Sequence, residues 1–308
     1  MSVKNISQST AKSVLDANIG KSVTVNFLVV GGGGVGAGES PGGAGGLRSS
    51  VDNTGGGGSL ETAQSLVIGG KYFVKIGAGS TTWEGSLASQ DTSEFSQFGE
   101  IYSWGGGRGT NYTENGHQGG SGGAGGWPNK PKGNGVANQG FAGGDGGGGG
   151  GSGDFCTGGG GGAGAVGNAG GNNGAPGGTG GAGVICNILP HGDATTASVG
   201  EVSGTDVYYA GGGGGSVGND GGASASGGLG GGGNGKNNGS SDGGNAGDAN
   251  TGGGGAASNS GGSGVVIIKY PNNHTISIGA GLTGGTVTDG DFKVSYFTAG
   301  QDYITFTS

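Results

Sequence analysis

The chain has 308 residues, of which 94 are glycine and only 6 proline, with 10% charged and 30% hydrophobic residues and a net charge of -8. Glycine far above its usual share of about 7%, without a strict third-residue period, excludes a collagen triple helix, and the scarcity of charge argues against ordinary disorder. No basic cluster and no apolar run of about eighteen residues is present, so neither nucleic-acid binding nor membrane insertion is expected.

Residues 1–22 differ from the rest. Ser9 or Thr10 can cap a short helix through Ala11–Ala17, which Gly20 would stop, and the segment has no apolar core of a secretory signal. It is read as an attachment segment, or as a plain N-terminal arm, of a protein made in a cytoplasm.

From Val23 the pattern changes. Val23–Val30 is a strand that runs directly into Gly31–Gly34, and Val265–Tyr270 is its counterpart, entered from glycine and closed by Pro271. Between them, Leu66–Ile76 reads as a hairpin around Gly69-Gly70, followed by strand-like Phe95–Trp104, Gly183–Leu189 and Val199–Ala210. These segments hold most of the large apolar residues and are expected to form a small core at one end.

Seven runs of four or more glycines separate them, the longest being Gly146–Gly151. Glycine offers no side chain to bury and loses the most backbone freedom on ordering, so such runs need main-chain partners. The expected fold is therefore mainly irregular and β: a bundle of packed polyglycine II helices, three residues per turn, bookended by short β-strands. Pairing of Val23–Val30 with Val265–Tyr270 would close residues 23–271 into one unit. Residues 272–308, with far less glycine, alternate as strands around a turn at Thr288–Asp291 and read as a small antiparallel β module.

Cys156 and Cys186 can form one disulfide or remain free; without a secretion signal the free form is the more usual. Catalytic patterns are missing. His117, His191 and His274 are far apart without metal-ligand spacing, and G-x-G-x-x-G matches are expected by chance at this glycine density. Gly20-Lys21-Ser22 lacks the glycine a phosphate loop needs at Leu15, and the aspartate of Gly150–Asp154 falls one residue early for a calcium nonapeptide. No enzyme activity, metal or cofactor is expected.

Recognition fits better, because aromatics gather in the non-glycine segments. The candidate loops are Ser80–Glu94, Arg108–Gln118, Trp127–Phe141 and Asn187–Asp206. Within and beside them Trp83, Arg108, Tyr112, Trp127, Lys130 and Tyr208 are the candidate receptor contacts, whereas Trp104 and Tyr209, beside strands and glycine runs, read as core.

The order of the edge motifs carries a resemblance. Phe27-Leu-Val-Val-Gly-Gly-Gly-Gly34, Gly42-Gly-Ala-Gly-Gly-Leu-Arg48, Tyr72-Phe-Val-Lys-Ile-Gly-Ala-Gly79, Asn250-Thr-Gly-Gly-Gly-Gly255 and Gly261–Pro271 resemble a glycine-rich domain of phage tail-fibre and adhesin proteins. The tail, around Gly281–Val294, is similar to C-terminal modules of marine phage proteins. The resemblance implies a virion tail-fibre or tip adhesin, like those of T-even-type phages, that binds a host cell-surface receptor, a glycan or an outer-membrane protein. Other virion fibre or tail proteins would be its assembly partners, and a homotrimer is one expected state. A purely structural filament component without a receptor is the alternative.

Overall fold

A computed structural model describes residues 21–81, 93–111, 114–148, 155–172, 175–218, 223–236 and 244–307. The expected helix at Ala11–Ala17 and the candidate contacts Trp83 and Tyr112 lie outside the described residues.

Strands, not glycine helices, organise the chain. They are β1 (Ser22–Val30), β2 (Leu47–Ser49), β3 (Gln64–Val67), β4 (Lys71–Lys75), β5 (Ser96–Phe98), β6 (Ile101–Ser103), β7 (Val184–Ile185), β8 (Glu201–Ser203), β9 (Asp206–Tyr209), β10 (Val265–Pro271), β11 (Thr275–Ile278), β12 (Leu282–Asp289) and β13 (Phe292–Thr307). Ten of them form one antiparallel sheet in the order β2-β1-β10-β13-β4-β5-β6, with β3 added to β1 and β11 and β12 added to β13. The other three form a small sheet, β7-β9-β8, beside a seven-residue helix α1 (His191–Ala197).

The large sheet curls until β2 approaches β6. Gly46 N–H donates to Trp104 O at 2.7 Å, and the Arg48 guanidinium donates to Tyr102 O at 3.2 Å while Glu61 grips it with both carboxylate oxygens at 2.6 Å. A two-pronged charge-assisted grip of this kind fixes the guanidinium plane, so the seam is held where no strand ladder spans it. The result is a nearly closed, barrel-like sheet.

This overturns the expected fold class. The protein is mainly β and built on that sheet, so a helical polyglycine II bundle bookended by short strands is not its architecture. Residues 272–308 are not an added module either. β13 is sixteen residues long; its first half pairs with β10 and β12, and its second half with β4 and β11. The drop in glycine after Pro271 marks a change in composition and not a change of unit.

The strand β1 shows why the sheet dominates. It pairs antiparallel with β10 from Asn26 opposite Lys269 to Val30 opposite Val265. Side chains alternate across a strand, so Phe27-Leu28-Val29-Val30 serves two faces at once. Val23, Val25, Phe27 and Val29 point into the barrel with Phe98, Tyr270, Phe297 and Phe306. Leu28 and Val30, with Val265 and Ile267, meet Leu47, Leu189 and Tyr209 beneath the small sheet and α1. Burial on both faces explains an unbroken apolar run where a one-sided strand would alternate with polar residues.

Two local readings are corrected. Leu66–Ile76 is not a hairpin: β3 pairs with β1 and β4 with β13 and β5, leaving Gly69-Gly70 as a link between separate places in the sheet. Helix was expected only before Gly20, yet α1 forms after Pro190 and ends at Ser198, whose φ of 53° lies in the left-handed region.

The glycine tracts run out from the barrel and back. Gly31 N–H donates to Gly46 O, Gly32 to Glu94 O, Gly33 to Gly262 O and Gly34 to Gly43 O, at 2.8–3.0 Å. Successive donors address three neighbours in turn, and the fourth returns to the first. Main-chain groups that helix or ladder bonds would otherwise satisfy are paired laterally here. The two cysteines are buried and not joined in a disulfide, and burial pushes the Cys186 thiol up to about 12.

Candidate functional site

The bonding levels of the tracts show where their turns lie. The first tract leaves β1 and returns to β2: Gly31 is level with Gly46, Gly34 with Gly43, and Ala37 and Ser40 bridge each other at the far end. Gly106 and Gly109 donate to Gly32 and Val35, so the tract after β6 runs out alongside it. Ser121 and Ala124 donate to Ala44 and Pro41, which carries the chain outward again and puts Trp127 just past the level of Glu39. Thr157 Oγ1 donates to Glu39 O at 3.1 Å, Ser216 N–H donates to Thr157 Oγ1, and Val217 N–H donates to Lys236 O. The Ala37–Ser40 turn and the described tract ends near Trp127, Thr157, Val217 and Lys236 therefore lie at one end, opposite the barrel rim where Lys21 sits beside Ile68.

The tip residues are polar and locally braced. Arg108 is buried, and its guanidinium reaches Glu114 at 3.3 Å and His117 Nε2 at 2.9 Å; Glu114, Asn115, His117 and Gln118 line a shallow depression of about 390 Å³ beside it. The loop is tied down by its main chain, with Gly116 N–H on Pro131 O and Gly123 N–H on His117 O. Lys132 and Asp145 pair at 3.0 Å, and the Lys132 backbone N–H, more than its ammonium, holds the Asp145 carboxyl below the usual range. Glu39 is the reverse case: burial pushes its carboxyl up, and Lys236 at 3.9 Å offsets this only in part.

Trp127 and Lys130 stand on the same turn. Lys130 N–H closes it on Gly126 O at 3.0 Å, and Gly146 N–H docks on Lys130 O. Both side chains are part-exposed, and the indole Nε1 of Trp127 finds no hydrogen-bond partner among the described residues. Of the six expected contacts, Trp127 and Lys130 are thus together at the tips, and Arg108 is near them but buried as a brace. Tyr208 is elsewhere, in β9 opposite Ile185, and the expected loop Asn187–Asp206 sits over the sheet with it. Core packing holds for Tyr209, which is fully buried, but Trp104 is 59% exposed. Reading aromatics alone missed Glu39, Lys236 and the Lys132–Asp145 pair; the Gly38-Glu39-Ser40-Pro41 stretch, a turn signature between glycine runs, was the available signal.

No family model, curated protein or solved structure matches the chain. Among the described residues, no group of three or more His, Cys, Asp or Glu is placed to hold a metal ion, and no helix is long and apolar enough to cross a membrane.

His117 gives the tips a pH dependence. Burial, then the Arg108 charge, lowers its pKa, and Glu114 only partly opposes them. A histidine whose folded value lies below its unfolded value of about 6.5 contributes stability that is present above 6.5 and lost as pH falls through the lowered folded value. The urea midpoint of the wild type is expected to fall more than that of His117→Gln as pH drops from about 7 to about 5. Parallel curves would remove His117 from this role.

Proposed function

We propose that this chain is a non-enzymatic virion tail-fibre or tip adhesin that contacts a host cell-surface receptor through the turns at the ends of its glycine tracts. One observation carries the reading: the turn with part-exposed Trp127 and Lys130 lies with other tract ends at one end of a main-chain-braced scaffold, while Lys21 lies at the opposite rim. Such polarity suits a protein joined to other virion proteins at one end and presenting a variable surface at the other. Loops on a rigid support are the usual carriers of binding, and tryptophan is among the side chains that dominate contact energy at interfaces. The resemblance of the edge motifs to phage adhesins supplies the class of receptor, a surface glycan or outer-membrane protein.

The test is competition for adsorption. Purified protein is expected to block adsorption of the cognate phage to its host, and the double substitution Trp127→Ala with Lys130→Ala is expected to weaken the block at least about tenfold, as loss of a central interface residue does. An unchanged block by the double variant would move the contact away from this turn. No block by the wild type would favour a purely structural spacer.

A further inference from the structure

A second concave surface lies at the opposite end of the molecule. Glycine tracts leave the barrel after Val30, Ile76 and Trp104 and re-enter before Val265, so the Gly69-Gly70 link and the Gly99-Glu100 turn between β5 and β6 lie on the other rim. Between them is a groove of about 410 Å³, lined chiefly by Leu66, Tyr72, Phe73, Gln97, Glu100 and Tyr303.

We propose that this groove binds a neutral saccharide, one or two sugar rings in extent. Phe73 and Tyr303 face each other across the β4–β13 pairing, with ring centroids 5.3 Å apart in an edge arrangement, and Tyr303 is 50% exposed. An open aromatic wall of this kind packs against the C–H face of a pyranose, whose ring hydroxyls then need partners at its edge. Those partners are present. Gln97 Nε2 is committed to Gly99 O at 2.7 Å, which leaves its amide oxygen to accept, and the exposed Glu100 carboxylate and Lys71 ammonium add an acceptor and a donor. The two charges are opposite, so neither an acidic nor a basic sugar is favoured.

The groove beside this wall is also braced. Tyr72 Oη accepts the Val67 N–H at 2.6 Å and donates to Val67 O, and Gly99 N–H is fixed on Phe73 O at 2.9 Å. Side chains already held in place lose little freedom on binding, which favours even a small ligand. The site is distinct from the tips and lies on the rim that the adhesin reading gives to virion attachment, so it is tested on the isolated chain.

The isotope-labelled full chain is titrated with lactose, maltose and N,N′-diacetylchitobiose while backbone and side-chain amide signals are followed by NMR. At least one disaccharide is expected to give saturable shifts at Gln97, Gly99 and Tyr303 with millimolar affinity, as a single shallow sugar site does. Tyr303→Ala, at a half-exposed position, is expected to keep the wild-type spectrum elsewhere and weaken binding about tenfold or more. Glu100→Gln, which keeps the size of the side chain, is expected to weaken it less. Absence of saturable shifts with all three sugars overturns the proposal, as does an affinity unchanged in Tyr303→Ala. Saturation instead by a peptide of a neighbouring virion protein would reassign the groove.

Discussion

Gly33→Ala is expected to destabilise the protein by about 3 kcal/mol or more, while Gly192→Ala stabilises it by about 0.5 kcal/mol. Both changes restrict the unfolded chain alike, which by itself favours folding. The folded state decides the sign. A Cβ on Gly33 would lie well inside contact distance of the Gly253 carbonyl, with Gly252 O close behind, and both belong to main chain that its own hydrogen bonds hold in place. Moving Gly33 aside would also cost its bond to Gly262 O, stranding a buried donor. At Gly192, in α1, an added methyl meets nothing within 4 Å and the helix gains propensity. Urea midpoints of the two variants measure the difference. A Gly33→Ala chain as stable as wild type would mean that the tracts can part at little cost, and the lateral bonding described above would lose its structural importance.

The second large effect is expected at Phe27→Ala, about 3–5 kcal/mol, with unfolding that remains a single transition. Phe27 is fully buried inside the barrel and lies 6.3 Å from the Phe98 ring. Its neighbour Leu28 belongs to the other core, so the two apolar clusters share a backbone and neither can open without the other. Amide signals of Phe98 in the barrel and Val207 in the small sheet, followed by NMR against urea, should therefore give coincident unfolding curves in wild type, Phe27→Ala and Leu28→Ala. Separated curves in either variant would show that the clusters melt independently.

The strands were legible because their signal is local: β-branched and aromatic runs at Val23–Val30 and Val265–Tyr270 are bounded by glycine and proline, which suggested that they pair, while the antiparallel sense came from the structure. The sheet as a whole was not. Its key strand, β13, lies between partners about 25 and about 230 residues away in sequence, and no local rule says that a glycine-poor tail enters between them. The same blindness made Leu66–Ile76 look like a hairpin, since Gly69-Gly70 satisfies turn chemistry whether or not its flanks pair. Trp127 and Lys130 were singled out from aromatic composition, and the structure puts them on one turn at the tips. Glu39 and Lys236 escaped because nearly two hundred residues separate them, and only the stacking of tracts brings one to the other.

The lateral bonding of the tracts also bears on how such a protein changes over generations. Adjoining tracts recognise one another through peptide groups that every amino acid carries, so a new sequence at a turn need not fit a complementary side-chain surface beneath it. Exchange, insertion and recombination at the turns then leave the support intact, and selection can try many outward-facing chemistries on one unchanged frame.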